Sequence, residues 1–153
     1  MLTPLYLTIP STLFALIFIF FGLNALFRPE SALAFISESL HYPTATFPTS
    51  SSDQQKLINA LLVIYGARDI FMGLAIGIVT FLGSSKTLGW VLLSASGVAV
   101  ADGWAVSELG DGSEWNHWGY APLVAAVGVG ALVVGDGKAV GMGRGEDAKV
   151  RRE

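Results

Sequence analysis

Three ionisable residues lie inside otherwise apolar stretches of this chain: Arg68, Asp69 and Asp102. A carboxyl group in such a place can pass a proton as a general acid or base. A guanidinium presents a rigid fork of N–H donors to a carbonyl oxygen or to developing negative charge. We therefore take these three as candidate catalytic residues. Asp102 would be the acid or base, Arg68 would bind the anionic oxygen, and Asp69 would orient Arg68.

Four further residues are candidates for binding a ligand beside these charges. Tyr65 lies three residues before Arg68 on the same helical face, and Trp104 follows Asp102 closely. We expect these two aromatic side chains to wall a pocket, although ordinary core packing explains them equally well. Asn59 adds a polar group on the same helix, and His117 would stand at the pocket mouth as a base. An interfacial histidine among belt aromatics is the alternative interpretation of His117.

Composition identifies the class of protein that must position these residues. The 153 residues are 52% hydrophobic and 14% charged, with a mean hydropathy of +0.58. Soluble domains carry about 25% charged residues. This composition excludes an ordinary soluble enzyme and a disordered chain, and a net charge of −3 excludes a nucleic-acid binder. A small integral membrane protein is the class that remains.

Four apolar stretches are long enough to cross a hydrocarbon core about 30 Å thick. They cover approximately residues 6–27, 57–82, 87–107 and 117–135. The predicted fold is therefore an all-α membrane protein, an antiparallel bundle of four transmembrane helices that forms one domain over 1–135. The glycine-rich, mixed-charge residues 136–153 are predicted to be a disordered tail. A signal peptide is the rival interpretation of the first stretch, but no positive charge precedes it.

The segment between the first two spans has two predicted parts. Residues 31–40 favour a short amphipathic helix lying in the interface, with Ala34, Phe35 and Leu40 facing inward. Residues 41–52 are rich in Pro, Ser and Thr, which is typical of a loop.

A short link places the three charges at one depth. Residues 83–86 join the second and third spans so tightly that these spans must be antiparallel neighbours. Pairing Leu82 with Thr87 sets Arg68 opposite Ala101, so Asp102 lies about 1.5 Å from the level of Arg68. The charges are expected to converge and pair inside the bundle.

The distribution of basic residues predicts the orientation. An even number of spans puts both termini and the 83–86 link on one side, and the positive-inside rule makes that side cytosolic. Its six basic residues are Lys86, Lys138, Arg144, Lys149, Arg151 and Arg152, against Arg28 and Lys56 on the other side. Trp115, Trp118 and Tyr120 then form an aromatic belt at the non-cytosolic interface. We expect the endoplasmic reticulum or another endomembrane.

Other features set limits on cofactors and partners. The chain has no cysteine and two histidines, His41 and His117, without a metal-ligand spacing, so we expect neither a metal nor a cofactor. The expected partners are the lipid bilayer and a lipophilic small molecule. The small-xxx-small pattern of Ala126 and Gly130 suggests that copies associate through the fourth span.

Three segments resemble a known family. They are Leu-Val-Ile-Tyr-Gly-Ala-Arg-Asp-Ile-Phe-Met-Gly-Leu at 62–74, Phe-Arg-Pro-Glu at 27–30 and Trp-Gly-Tyr-Ala-Pro at 118–122. The family consists of small four-span membrane proteins of uncharacterised function, found mainly in fungi and similar to the DoxX-like set. The resemblance covers about residues 10–135 and implies a four-helix membrane bundle. It also implies an association with natural-product pathways, but it supplies no reaction.

Two functions remain open at this point. The first is a membrane-embedded pocket for a lipophilic small molecule, with cofactor-independent isomerase or cyclase chemistry at Asp102. The second is a non-catalytic accessory or scaffold protein whose buried charges hold its own helices together. A transport component would need an oligomer with a polar lining, for which the sequence offers little.

Overall fold

The computed structural model describes residues 3–36, 51–110 and 112–150, and within them it is helical throughout, without a strand. The helices are α1 Leu5–Phe27, α2 Pro29–Ile36, α3 Ser51–Leu82, α4 Ser85–Ser107, α5 Trp115–Trp118 and α6 Ala121–Val150. Four segments are long and apolar enough to cross a membrane: Leu5–Phe27, Gln55–Leu82, Ser85–Ser107 and Trp115–Gly135. The predicted fold class is confirmed.

The four long helices pack as two pairs. The most extensive contacts are those of α1 with α3 and of α4 with α6, while α3 and α4 touch each other more sparsely. Glycines allow the close approach within each pair: a Cβ at Gly66 would lie 2.7 Å from the Gly22 carbonyl oxygen, and one at Gly89 would lie 2.8 Å from that of Gly128. Small residues at helix crossings let two backbones approach each other in a membrane. The bundle therefore has tight pairs and a looser seam between α3 and α4.

The short helix α2 folds back onto the first pair. It begins directly after Arg28, two residues earlier than predicted, because Pro29 suits the first position of a helix. Ala32 and Leu33 are buried, whereas Ala34, which was expected to face inward, is exposed. Ala34 follows Ala32 by two residues, a turn of about 200° around the helix, so it projects away from the docked face. Leu40 and the predicted loop residues 41–50 lie outside the described residues.

The second span begins earlier than the hydropathy indicates. Helix α3 starts at Ser51, so Ser51 and Ser52 are helical and their placement in a loop was wrong. An acidic residue, Asp53, stands in the first turn, where it interacts favourably with the positive end of the helix dipole. Its carboxylate also accepts a 3.2 Å hydrogen bond from Lys56. Polar residues thus extend the helix beyond the apolar stretch.

The carboxyl end differs from the sequence prediction as well. Helix α6 continues past Gly135 to Val150, through the part of the chain predicted to be disordered. Once a helix is nucleated, each further residue adds a hydrogen bond, so a helix can extend beyond its packed part. The division into a transmembrane domain and a tail stays a prediction.

Candidate functional site

Arg68 on α3 and Asp102 on α4 form a two-pronged ion pair across the seam. The guanidinium Nη1 donates to Oδ1 of Asp102 at 2.7 Å, and Nη2 donates to Oδ2 at 2.8 Å. Parallel hydrogen bonds of this kind are shorter and stronger than bonds between neutral groups. The predicted common depth of the two residues is confirmed. This ion pair joins the α1–α3 pair to the α4–α6 pair where their packing is sparse.

Asp69 is a second carboxylate on the same guanidinium. Its Oδ1 accepts hydrogen bonds from Arg68 Nη2 at 3.2 Å and Nε at 3.4 Å. The Asp69 side chain is 3% exposed, against 18% for Asp102 and 33% for Arg68. The Tyr65 ring lies against the guanidinium carbon, 4.6 Å from its centroid, which is cation–π distance. One cation is thus held by two carboxylates and an aromatic face.

Glycines beside the charged residues let neighbouring helices fix them. Gly66 precedes Arg68 by two residues and permits the contact of α3 with α1. Gly103 follows Asp102 directly, and the Trp118 indole occupies the space that a side chain there would need. The Trp118 Nε1 also donates to the Val100 carbonyl oxygen at 3.2 Å. The backbone that carries Asp102 is therefore held by the residue that ends α5.

His117 on α5 is buried beside these charges. It is 1% exposed, and within the described part of the chain neither ring nitrogen has a hydrogen-bond partner. It lies within electrostatic range of Asp102 and Arg68. The Phe35 ring of α2 packs edge-on against the imidazole with centroids 5.6 Å apart. Asn116 holds α2 in place, since its Nδ2 donates to the Phe35 carbonyl oxygen at 2.8 Å.

An apolar cleft lies in the seam next to the ion pair and has a volume of about 190 Å³. The residues that line it are Met72, Ala75, Val91, Ser94, Ala95 and Val98. Met72 follows Arg68 by four residues and Val98 precedes Asp102 by four, so both lie one turn from the ion pair on the same helical faces. Ser94 at the rim is exposed. The cleft therefore begins about one helical turn from the ion pair and extends toward the short α3–α4 link.

Two predicted site residues are not brought to this cluster. Trp104 is 69% exposed on the outer face of α4, because two residues beyond Asp102 is a turn of about 200° around the helix. Asn59 is exposed and lies nine residues before Arg68, about 13 Å away along α3 and on the opposite face. Neither residue walls the cleft. Tyr65 contacts the Arg68 guanidinium, and His117 interacts electrostatically with Arg68 and Asp102.

Sequence reasoning did not single out Asn116 or assign Tyr120 to the site. Tyr120 lies within electrostatic range of Asp69 and Asp102, and its ring packs edge-on against Phe18 at 6.1 Å. Its place in a belt of interfacial aromatics concealed this inward contact. Asn116 could have been identified from the sequence because it directly precedes His117. In the described part of the chain, no group of three or more His, Asp or Glu side chains is placed to hold a metal ion.

The geometry favours ion-pair and binding chemistry over a ready proton transfer. Both carboxylate oxygens of Asp102 accept from Arg68, so a reacting group would have to displace the guanidinium before Asp102 could take its proton. The guanidinium and Asp102 are both partly exposed. A molecule in the cleft could therefore exchange partners with this ion pair through its polar end.

Comparisons with known proteins identify the family. A search of curated proteins and a search of solved structures each returned no match. Residues 15–131, more than half of the chain, match the domain of unknown function DUF4267. The matched range runs from the middle of α1 to the middle of α6 and includes Arg68, Asp69, Asp102 and His117. The chain is a small protein of four apolar helices with an Arg–Asp ion pair between two of them. It is a member of the DUF4267 family.

Proposed function

We propose that the protein binds a lipophilic small molecule in the cleft between α3 and α4, with the polar end of the molecule at Arg68 and Asp102. The observation that carries this proposal is the position of an apolar cleft of about 190 Å³ one helical turn from a partly exposed ion pair. Apolar pockets with a few convergent polar groups are the usual form of small-molecule sites. Ionisable groups inside a membrane are costly and commonly functional.

A photoreactive probe and a matched pair of variants test this proposal. The probe is a long-chain alcohol that carries a diazirine. Ser94→Phe fills the cleft, whereas Gly97→Phe adds the same side chain to the outer face of α4, where a Cβ meets no atom within 4 Å. We expect crosslinks at cleft residues that Ser94→Phe removes and Gly97→Phe leaves in place. Crosslinks spread evenly over outward-facing residues such as Phe71 would contradict the proposal.

The reaction that we propose for this site is a cofactor-independent isomerisation or cyclisation of a natural-product intermediate. Asp102 would exchange a proton with the bound molecule after Arg68 has been drawn toward Asp69, with which it already shares hydrogen bonds. Support comes from the resemblance to companions of natural-product pathways. Folded Asp102→Asn and Arg68→Gln variants with unchanged turnover of such an intermediate would rule out these roles.

A specific observation favours a second candidate, a non-catalytic accessory or scaffold protein. The ion pair of Arg68 and Asp102 is closed, with both carboxylate oxygens engaged, and it crosses a seam that packs more sparsely than either helix pair does internally. This function predicts that Arg68→Gln lowers stability and that the probe gives no crosslinks specific to the cleft. The photoreactive alcohol therefore separates the two candidates.

We also propose the orientation and surroundings that the basic residues favour. Both termini and the α3–α4 link would face the cytosol in an endomembrane, and copies would associate through the outward face of α6, where Ala126 is exposed. The chain lacks cysteine, so a single introduced thiol reports its own side of the membrane. An impermeant maleimide applied to intact vesicles should distinguish Ser84→Cys from Glu108→Cys. The likeness to the DoxX-like set stays a prediction.

A further inference from the structure

The charges in the cluster of Arg68, Asp69 and Asp102 do not balance. Arg68 supplies one positive charge, while Asp69 and Asp102 supply two negative ones. His117 is a further ionisable group near them, and among the described residues neither of its nitrogens has a hydrogen-bond partner. With all three charged residues ionised, the cluster carries one surplus negative charge in surroundings where an unpaired charge is costly.

We infer that the ligand of the cleft is a lipophilic amine in its protonated, cationic form. This inference rests on the proposed function and adds the class of ligand. The alkyl part would lie among the apolar lining residues of the α3–α4 seam. The ammonium group would reach the end of the cleft nearest the ion pair and bring the cluster to zero net charge.

The carboxylate that the ammonium group meets is Asp102. Its side chain is six times as exposed as that of Asp69, at 18% against 3%. The Arg68 guanidinium need not be left alone when Asp102 takes a new partner, because it already donates to Asp69 through Nη2 and Nε. Because Asp69 and Asp102 share one guanidinium, Asp102 can leave it to bind an incoming cation while Arg68 stays paired with Asp69.

A second, independent feature is a buried acceptor nitrogen that an ammonium N–H could satisfy. The His117 imidazole is buried with two unpartnered nitrogens, and an unpartnered buried polar atom is costly. A neutral imidazole has one acceptor nitrogen, and an ammonium group has several N–H donors. We therefore place the head group between Asp102 and His117, which interact electrostatically.

An anionic ligand fits the same site poorly. It would compete with Asp102 for the guanidinium and raise the surplus from one negative charge to two. Like charges at close range in a medium of low dielectric repel strongly. A neutral alcohol would leave the surplus charge as it is. The order of preference is therefore ammonium, then alcohol, then anion.

Three probes with the same ten-carbon chain test this order: decylamine, decan-1-ol and decane-1-sulfonate. Each is added at matched membrane concentration to the full chain in phosphatidylcholine nanodiscs, with empty nanodiscs as the partition control. The measurement is the rise in melting temperature as a function of probe concentration. We expect the dissociation constant of decylamine to be lower than that of decan-1-ol by about tenfold or more. Decane-1-sulfonate should not stabilise the protein.

Variants connect the preference to named residues. Asp102→Asn should bring the affinity for decylamine down to that for decan-1-ol, and Asp69→Asn should do the same because it removes the surplus charge. The second variant leaves the Arg68–Asp102 pair intact, so the test survives if Asp102→Asn does not fold. Ser94→Phe should abolish binding of the amine and of the alcohol, while Gly97→Phe should preserve both.

Failure of this inference differs visibly from failure of the proposed function. Suppose that decan-1-ol or decane-1-sulfonate binds as tightly as decylamine and Ser94→Phe still abolishes binding. That result would contradict the preference for a cationic ligand and would support the cleft as the binding site. If Ser94→Phe and Gly97→Phe bind all three probes alike, the cleft itself is wrong. Unchanged amine preference in Asp69→Asn and Asp102→Asn would overturn the assignment to the surplus carboxylate.

Discussion

Arg68 and Asp102 are 34 positions apart in the chain, yet their side chains meet through two parallel hydrogen bonds of 2.7 and 2.8 Å. The two residues belong to different helix pairs, and the packing of α3 against α4 is sparse compared with the packing within each pair. The ion pair therefore lies where packing contributes little to holding the helices together. The ion pair links the two helix pairs. Because it lies close to an apolar cleft, it is also the polar end of a candidate ligand site.

A double-mutant cycle measures the contribution of the Arg68–Asp102 ion pair to the free energy of unfolding. Arg68→Gln and Asp102→Asn should each lower the free energy of unfolding by about 1–3 kcal/mol, because each leaves the partner charge without its main hydrogen bonds. The double variant should be little worse than either single one, with a coupling energy of about 1–2 kcal/mol. Unfolding in mixed micelles titrated with dodecyl sulfate gives these values. Lys56→Gln, which breaks the exposed Asp53 pair, is the control and should have no measurable effect. If the losses of the two single variants add up in the double variant, the ion pair does not stabilise the fold.

The glycine crossing of α1 and α3 gives a second prediction. Gly66→Ala should destabilise the protein by about 1–3 kcal/mol, because the new Cβ would stand 2.7 Å from the Gly22 carbonyl oxygen and the helices must separate. Gly97→Ala is the matched control, since its Cβ meets no atom within 4 Å and alanine favours a helix by about 0.5–1 kcal/mol. Opposite signs in the same unfolding assay are expected. A stabilising Gly66→Ala would show that this crossing is not close.

His117 should reveal a conflict between stability and binding. His117→Leu replaces two buried, unpartnered nitrogens by apolar atoms, so the ligand-free protein should gain about 1–3 kcal/mol in unfolding free energy. The same variant should bind decylamine more weakly than the wild type does. His117→Gln keeps polar atoms at the position and should not gain stability. A loss of stability in His117→Leu would mean that the imidazole has a partner in the ligand-free protein.

The α2 helix should control access to His117. Phe35→Ala removes the ring that packs against the imidazole, so diethyl pyrocarbonate should modify His117 faster. Asn116→Ala should act in the same direction by releasing the Phe35 carbonyl oxygen, to which Asn116 donates at 2.8 Å. Mass spectrometry of the peptide that contains His117 gives the rate. The control is Phe27→Ala, an equally large truncation at an exposed residue. Equal rates in all variants would show that α2 does not cover the histidine.

Much of the site could be predicted from the sequence because it depends on short-range geometry. The tight link after Leu82 fixes the relative depth of α3 and α4, and helical rise then brings Arg68 and Asp102 to one level. The prediction failed where rotation about the helix axis mattered. Trp104 is close to Asp102 in sequence but projects from the outer face, and Ala34 is exposed because α2 docks through Ala32 and Leu33 instead.

The amino-acid sequence alone determined that this is a bundle of four apolar helices with three charges inside it. That follows from the scarcity of charge, since a span must be apolar over about 20 residues whatever its neighbours are. Which surfaces pair was decided only by the tertiary structure, because glycine contacts between distant helices select α1 with α3 and α4 with α6. That pairing leaves the seam open, forms the cleft below Arg68 and buries His117 without a partner. None of these three features is a property of any single helix.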